Sequence, residues 1–152
     1  NEDIMEVVRR IQNAGIYIIG NYIFGLPDDS LERMQATLDM ALELNCEFIN
    51  FYSAMAYPGS ALYKQAVEKG IELPDSWSGF SQHAYHTKPL SNNYCDAADI
   101  LGFRDKAFIT YFTHTPYLDM IRKKFGQEVV DHIDRMASIP LRRKLIEERQ
   151  IA

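Results

Sequence analysis

Two apolar runs in the 152-residue sequence end in turns that combine glycine and proline, and these turns hold the residues best placed to do chemistry. The first closes as Ile23-Phe24-Gly25-Leu26-Pro27, followed by Asp28 and Asp29; the second runs from Asn50 to Tyr57-Pro58-Gly59-Ser60. Glycine has no Cβ, so Gly25 and Gly59 could let the backbone approach a flat ring, with Ile23, Leu26 and Pro27 as an apolar wall. The same residues would equally serve as tight turns, with Pro27 and Pro58 stopping the strands, and residue types alone leave both readings open. Within the second run, Asn50, Tyr52, Ala54 and Ala56 share one parity and Ile49, Phe51, Ser53 and Met55 the other. The first set is the more polar. Asn50 and Tyr52 would suit the donors of a substrate cavity, or be satisfied polar residues of a core.

Other constellations are thinner. His83 and His86 stand three residues apart, a spacing found in metal sites, but zinc would need further ligands and a hydrogen-bonding shell, so a loop whose histidines stack or bond to backbone is preferred and no metal ligand is assigned. His114, between Tyr111 and Tyr117, is a candidate on the substrate side. His132 reads as a surface helix residue. Cys46 and Cys95 are too few for a disulfide scaffold and lie far apart, which predicts two free thiols. The sequence has no Gly-x-Ser-x-Gly nucleophile elbow and no phosphate loop.

The elements that must position these residues follow from periodicity. Ile4, Val7, Val8 and Ile11 predict an amphipathic helix over 3–14, with Gly15 at its end. Ile16 to Phe24, almost continuously apolar, predicts a strand covered on both faces. Asp28, Asp29 and Ser30 offer caps for a helix whose stripe is Met34, Leu38, Ala41, Leu42 and Leu44, closed by Asn45. Glu47 to Ala56 predicts the second strand, and Leu62, Ala66 and Val67 a helix reaching Gly70. Two strands joined by a helix of this length make a parallel βαβ unit. Residues 71–92, with Pro74, Trp77, Gly79 and Pro89, predict an irregular wrapping segment, of a length that tends to be functional. Helices are then expected over Asp96–Phe112, Tyr117–Phe125, Gln127–Met136 and Pro140–Glu148.

Composition sets the class. With 47% hydrophobic and 24% charged residues the chain is an ordinary globular domain, and its formal charge of -5 argues against a nucleic-acid partner. Arg122, Lys123, Lys124, Arg142, Arg143 and Lys144 make the end locally basic, but interleaved acids predict a solvated helical surface. No apolar run reaches the roughly 20 residues of a bilayer span, and charges within Asn1–Arg10 do not suit a signal peptide. A soluble, cytoplasmic protein without membrane contact is expected. The start at Asn1 rather than Met reads as that of an excised piece.

Gly20-Asn21-Tyr22-Ile23-Phe24-Gly25-Leu26-Pro27-Asp28-Asp29 and Asn50 to Tyr63, at their spacing, resemble the fifth and sixth strands of the partial (β/α) barrel of radical S-adenosylmethionine enzymes. The resemblance is closer to the branch with an N-terminal cobalamin-binding domain, which includes the anaerobic magnesium-protoporphyrin IX monomethyl ester cyclase. There the sixth strand ends in a Tyr-Pro-Gly-Thr-like turn, and Trp77, Lys88-Pro89-Leu90 and Phe108 to Tyr117 look like its helical tail. Ile23 and Gly25 match the family's Gly-x-Ile-x-Gly-x-x-Glu motif, while Asn21 replaces the first Gly and Asp28 the Glu.

The resemblance implies an α/β fold: a partial (β/α) barrel fragment over 1–70, a wrapping segment over 71–92 and an α-helical C-terminal region over 93–152. It implies S-adenosylmethionine with Ile23, Gly25, Leu26, Pro27, Ala54, Ala56, Tyr57 and Pro58 facing the adenosine, and Asn50, Tyr52 and His114 toward a small-molecule substrate. The parent reaction would be hydrogen abstraction by a 5'-deoxyadenosyl radical, leading to methylation, cyclisation or rearrangement. The family's four-iron four-sulfur cluster needs a Cys-x-x-x-Cys-x-x-Cys loop that Cys46 and Cys95 cannot form, so cluster and any cobalamin would belong to a missing N-terminal half. This piece alone is expected to be inactive and to self-associate through open strand edges or cover them with its helices. A competing reading is a non-catalytic α/β interaction module docking through Phe103, Phe108, Tyr111, Phe112 and Tyr117. A phosphate-handling barrel would need a glycine-rich cradle, which is absent.

Overall fold

A computed structural model describes residues 3–151; Asn1, Glu2 and Ala152, and the expectation attached to Asn1, lie outside the described residues. Local rules set most elements. Helix α1 (Ile4–Asn13) starts where the Asp3 carboxylate accepts the Met5 amide, and α2 (Leu31–Leu44) starts on Ser30 and stops at Asn45, which takes φ 45°. Strands β1 (Ile19–Phe24) and β2 (Phe48–Ser53) flank α2, and α3 (Ala61–Glu68) follows β2 on a Ser60 cap. Beyond a single 3-10 turn (Trp77–Phe80) come α4 (Ala97–Phe112), opened by an Asp96–Asp99 capping box, α5 (Thr115–Phe125), α6 (Gln127–Ala137) and α7 (Lys144–Ile151).

The two strands are parallel, in register from Ile19 opposite Phe48 to Phe24 opposite Ser53. The fold is therefore mixed α/β and rich in helix: a parallel βαβ unit followed by a helical region. No barrel is formed by the described residues, because the sheet has two strands and closure needs many more.

Coverage of the sheet departs from the expectation. Tyr22, Phe24, Ile49, Phe51 and Ser53 face α2 and α4 and are buried, whereas Ile19 is 60% exposed and Ile23 and Phe48 are each 47% exposed. The run is apolar on both faces, but the described helices cover one of them, and on the other only the lower end is met, where the Phe125 ring of α5 lies 5.8 Å from that of Phe48. The strands are also shorter than their apolar runs. Tyr17 leaves the ladder to pack edge-on against Phe125, and the Ile18 amide turns to the Glu47 carboxylate at 3.0 Å. The strand ends at Ser53, although the Ala54 amide still donates to the Phe24 carbonyl at 2.7 Å, and Ala54, Met55 and Ala56 are all buried.

The aromatic tail is core. Tyr111 and Tyr117 are almost fully buried, Phe112 is buried, and Phe103 and Phe108 pack against the same cluster as Phe24 and Phe51. Those rings are thus not an exposed docking surface. Their burial against the sheet stabilises more than solvent exposure would allow, by ~2 kcal/mol each for the fully covered ones. The basic end is likewise not a uniformly solvated surface: Arg143 is 1% exposed, and Lys124 pairs with the fully buried Glu47. Helix α7 consequently begins at Lys144 rather than Pro140, since Arg143 must turn inward ahead of it.

Segment 71–92 is largely irregular and wraps the outer edge of β2. The Gln82 amide side chain accepts the Ser53 N–H at 2.9 Å and donates to the Ser53 carbonyl at 3.0 Å, continuing the ladder without a strand. Arg104 Nε donates to the Phe51 carbonyl at 2.9 Å, and the Leu90 amide to that of Ala54 at 3.0 Å. Backbone groups of a buried edge need partners, and here the Gln82 and Arg104 side chains and the Leu90 amide supply them. The other edge of the sheet, along β1, pairs with no strand among the described residues.

Candidate functional site at the strand tips

The register brings the sequence-derived candidates of the two strands together on the open face. Ile23 is opposite Tyr52, and Asn21 opposite Asn50, whose Nδ2 donates to Asn21 Oδ1 at 3.0 Å. The face therefore carries a polar bridge between two apolar rungs, Ile19 with Phe48 below and Ile23 with Tyr52 above. Tyr52 is 36% exposed and Ile23 more so. A planar ring lying on the upper rung would find an aliphatic and an aromatic surface, with amide groups one rung away.

The turn above β1 is held from inside. Gly25 is buried at φ +83°, and both its amide and that of Leu26 donate to Asp29 Oδ2 at 3.0 Å. Asp29, not the motif-aligned Asp28, thus makes the turn, while the Asp28 carbonyl accepts from Arg33. A Cβ on Gly25 would lie 2.5 Å from Ile100 Cγ2, so the missing side chain makes room for α4. Leu26 and Pro27 are exposed.

Asn92, which sequence reasoning did not single out, clamps this turn from the far side. Its Nδ2 donates to the carbonyls of Leu26 at 2.8 Å and Asp29 at 3.0 Å, and its Oδ1 accepts the amides of Tyr94 and Cys95. Asn92→Ala is expected to cost roughly 2 kcal/mol, because partly buried backbone groups lose their partner; urea denaturation measures it. A loss under about 0.5 kcal/mol, below the usual worth of one hydrogen bond, would mean the clamp is idle. The only sequence signal was an Asn in a turn-rich stretch.

At the second tip, Ala54 and Ala56 are buried, while Tyr57 and Pro58 are exposed and the Tyr57 ring lies 6.2 Å from that of Phe80. Behind the first turn is a cleft of about 210 Å³ between Gly25, Pro27, Leu62, Ala66, Leu90 and Asn92. A larger cleft of about 750 Å³ lies off the strand tips, between Glu72–Gly79 and α7; its Lys88, Lys144 and Arg149 are each already paired with a carboxylate.

His114 is not part of this arrangement. It precedes α5, next to Tyr111 and Tyr117, whose hydroxyls donate to the Cys46 and Glu47 carbonyls at the amino end of β2. Burial, then Cys46, pushes the Tyr22 phenol up to about 12, and burial pushes Tyr117 to about 12, so neither ionises near neutrality. Cys46 and Cys95 are both free and buried, and burial raises both thiols. His86 stacks edge-on with Tyr85, and His83 is held below the ordinary imidazole value by burial and by Arg104 and Arg143. Among the described residues no group of three or more His, Cys, Asp or Glu could hold a metal ion, and no helix is long and apolar enough to cross a membrane.

Comparison with known proteins adds one likeness. No family model matches the chain, and no solved structure does. An uncharacterized methyltransferase of Pyrococcus horikoshii is 27% identical over 77 residues, which make up 51% of this chain and 17% of that relative. The chain thus matches a small part of a much longer protein.

Proposed function

We propose that the β1–β2 tips form the nucleoside-facing wall of a protein that uses S-adenosylmethionine for methyl-transfer-related chemistry, of the radical kind its two turn motifs resemble. The observation that carries this is the open upper rung, Ile23 beside Tyr52 at the carboxyl ends of parallel strands, where such folds bind ligands. The likeness to a methyltransferase supports it. Ile23 would cover the adenine together with Tyr52, which the sequence places toward the substrate but the register sets opposite Ile23; Leu26, Pro27, Tyr57 and Pro58 would rim it, and the buried Gly25, Ala54 and Ala56 would hold the rim in place. Asn21 and Asn50 would face a small-molecule substrate. S-adenosylmethionine would supply either an electrophilic methyl group or, on reductive cleavage, a 5'-deoxyadenosyl radical.

A four-iron cluster does not fit this chain. It needs three neighbouring thiolates, whereas Cys46 lies at the amino end of the sheet, Cys95 near the tips, and burial keeps both protonated. Cluster and cobalamin would be held by other parts of a longer polypeptide, which would also cover the open face and the free edge of β1.

The test is calorimetric titration with S-adenosylmethionine and with 5'-deoxyadenosine, on a longer polypeptide that includes a Cys-x-x-x-Cys-x-x-Cys loop. Saturable binding is expected, weakened about a hundredfold in Ile23→Asp, since a buried apolar contact worth ~1.5–3 kcal/mol is replaced by a carboxylate. Unchanged affinity in Ile23→Asp would overturn the assignment of this face, and no binding by the unaltered protein would overturn the reading itself.

A further inference from the structure

We infer that Arg143, on the segment before α7, is the positioning residue for the β2 tip, holding the 81–87 loop so that Gln82 can fix Ser53. The inference deepens the nucleoside-wall reading and rests on it for its consequence, not for its geometry.

All five guanidinium hydrogens of Arg143 are spent inside the protein. Nε and Nη2 donate to the two Asp105 oxygens at 2.7 and 2.9 Å, Nη2 also to the Gln82 carbonyl at 3.0 Å, and Nη1 to the Ala84 carbonyl at 2.9 Å and Thr87 Oγ1 at 3.0 Å. A planar fork meets this set of acceptors, and a lysine ammonium cannot. The Lys144 amide adds a bond to the Tyr85 carbonyl at 2.9 Å. The loop is therefore pinned between Asp105 on α4 and the start of α7. With no hydrogen left for a ligand, Arg143 acts only through what it holds.

What it holds reaches the site in one step. The Gln82 side chain leaves the pinned loop on the other side and makes both bonds to Ser53, the last residue of β2, ahead of Ala54 to Pro58. Without the Arg143 bonds, the loop loses its tie to α4 through Asp105, and Gln82 loses its fixed origin. The same loop leads into Leu90, whose amide holds the Ala54 carbonyl. Arg143 thereby sets where the second half of the nucleoside wall stands.

Amide hydrogen exchange by NMR on this chain, with nucleoside titration on the longer polypeptide, tests this. In Arg143→Lys the Ser53 and Leu90 amides are expected to exchange about tenfold faster, the loss of roughly one hydrogen bond's worth of protection. The Tyr22 and Tyr52 ladder amides and the circular dichroism should be unchanged, and nucleoside affinity should fall about tenfold. Gln82→Met keeps the Arg143 bonds, which use the Gln82 backbone, and should reproduce both effects; the double variant should be no worse than either. Arg135→Ala, at an exposed position of α6, should change neither. Ser53 protection unaltered in Arg143→Lys or in Gln82→Met would overturn the inference, as would additive losses in the double variant. Should the unaltered longer polypeptide bind no nucleoside while the exchange result holds, the nucleoside reading falls and the control of the tip by Arg143 stands.

Discussion

Gly25→Val is expected to remove about 3 kcal/mol of folding stability, from two independent sources. The residue stands at φ +83°, where a β-branched side chain is strained by roughly 1–2 kcal/mol. Its Cβ would also lie 2.5 Å from Ile100 Cγ2 and 2.8 Å from Ile100 Cδ1, on a fully buried side chain that cannot swing away. Overpacking of that kind costs ~1–3 kcal/mol. Adding Ile100→Ala to Gly25→Val should relieve the clash but not the strain, making the combined loss smaller than the sum of the single losses. Gly59 supplies the contrast: at φ +88°, with nothing within 4 Å of the point a Cβ would occupy, Gly59→Ala should show the strain alone. Urea midpoints of these variants and the unaltered protein measure this, and equal losses at Gly25 and Gly59 would show that Ile100 does not close on the first turn.

Lys124→Met should destabilise the protein by about 2–3 kcal/mol at neutral pH, and by less in acid. Glu47 is fully buried and receives Lys124, while its other oxygen accepts the Ile18 amide. Burial, the largest influence, would raise its carboxyl, but the Lys124 ammonium and the backbone amides of Ile18 and Glu47 together hold it below the ordinary range. Breaking a buried pair costs ~3–5 kcal/mol, discounted here because Lys124 is itself 31% exposed. For a carboxyl lowered on folding, the contribution to stability is complete above the unfolded value of about 4.3 and is lost as pH falls through the lower folded value. Without Lys124, only the backbone amides of Ile18 and Glu47 oppose burial, so the carboxyl moves up and the stability it contributes at neutral pH is reduced. Thermal unfolding between about pH 3 and pH 7 should therefore show the deficit of Lys124→Met shrinking toward low pH. A deficit independent of pH would mean that the carboxyl is not ionised in the fold.

Stability of this order matters to the site because the strands carry it directly. Glu47 immediately precedes β2, and its partner Ile18 immediately precedes β1, so the ion pair fixes the amino ends of both strands. Gly25 and Ser53 do the same at the carboxyl ends, through Asp29 and Gln82. The open upper rung stands between two pinned ends. Such preorganisation is what lets a small apolar surface contribute to binding without first being ordered.

Much of the local structure was legible in the chain. Ser30 caps α2 among the oxygens the sequence offers there, and Asn45 ends that helix in the left-handed region, while Ser60 and Asp96 cap α3 and α4 by the same chemistry. Apolar periodicity located both strands and their parallel connection, and strand parity put Asn50 and Tyr52 on one face, with Ile49 and Phe51 on the other. Those inferences rest on interactions within a few residues, which composition and spacing record. What the tertiary structure alone decided are the partners: Arg143 with Asp105, Lys124 with Glu47, Asn92 with the Leu26 turn, and Gln82 with Ser53, at separations of 38, 77, 66 and 29 residues. It also decided that an apolar strand could be open on one face, since hydrophobicity says which side chains prefer burial but not whether a layer is there to cover them. A charged residue in a helical pattern reads as solvated until the fold brings a carboxylate and three carbonyl or hydroxyl oxygens around it, and only then does burial favour the arginine.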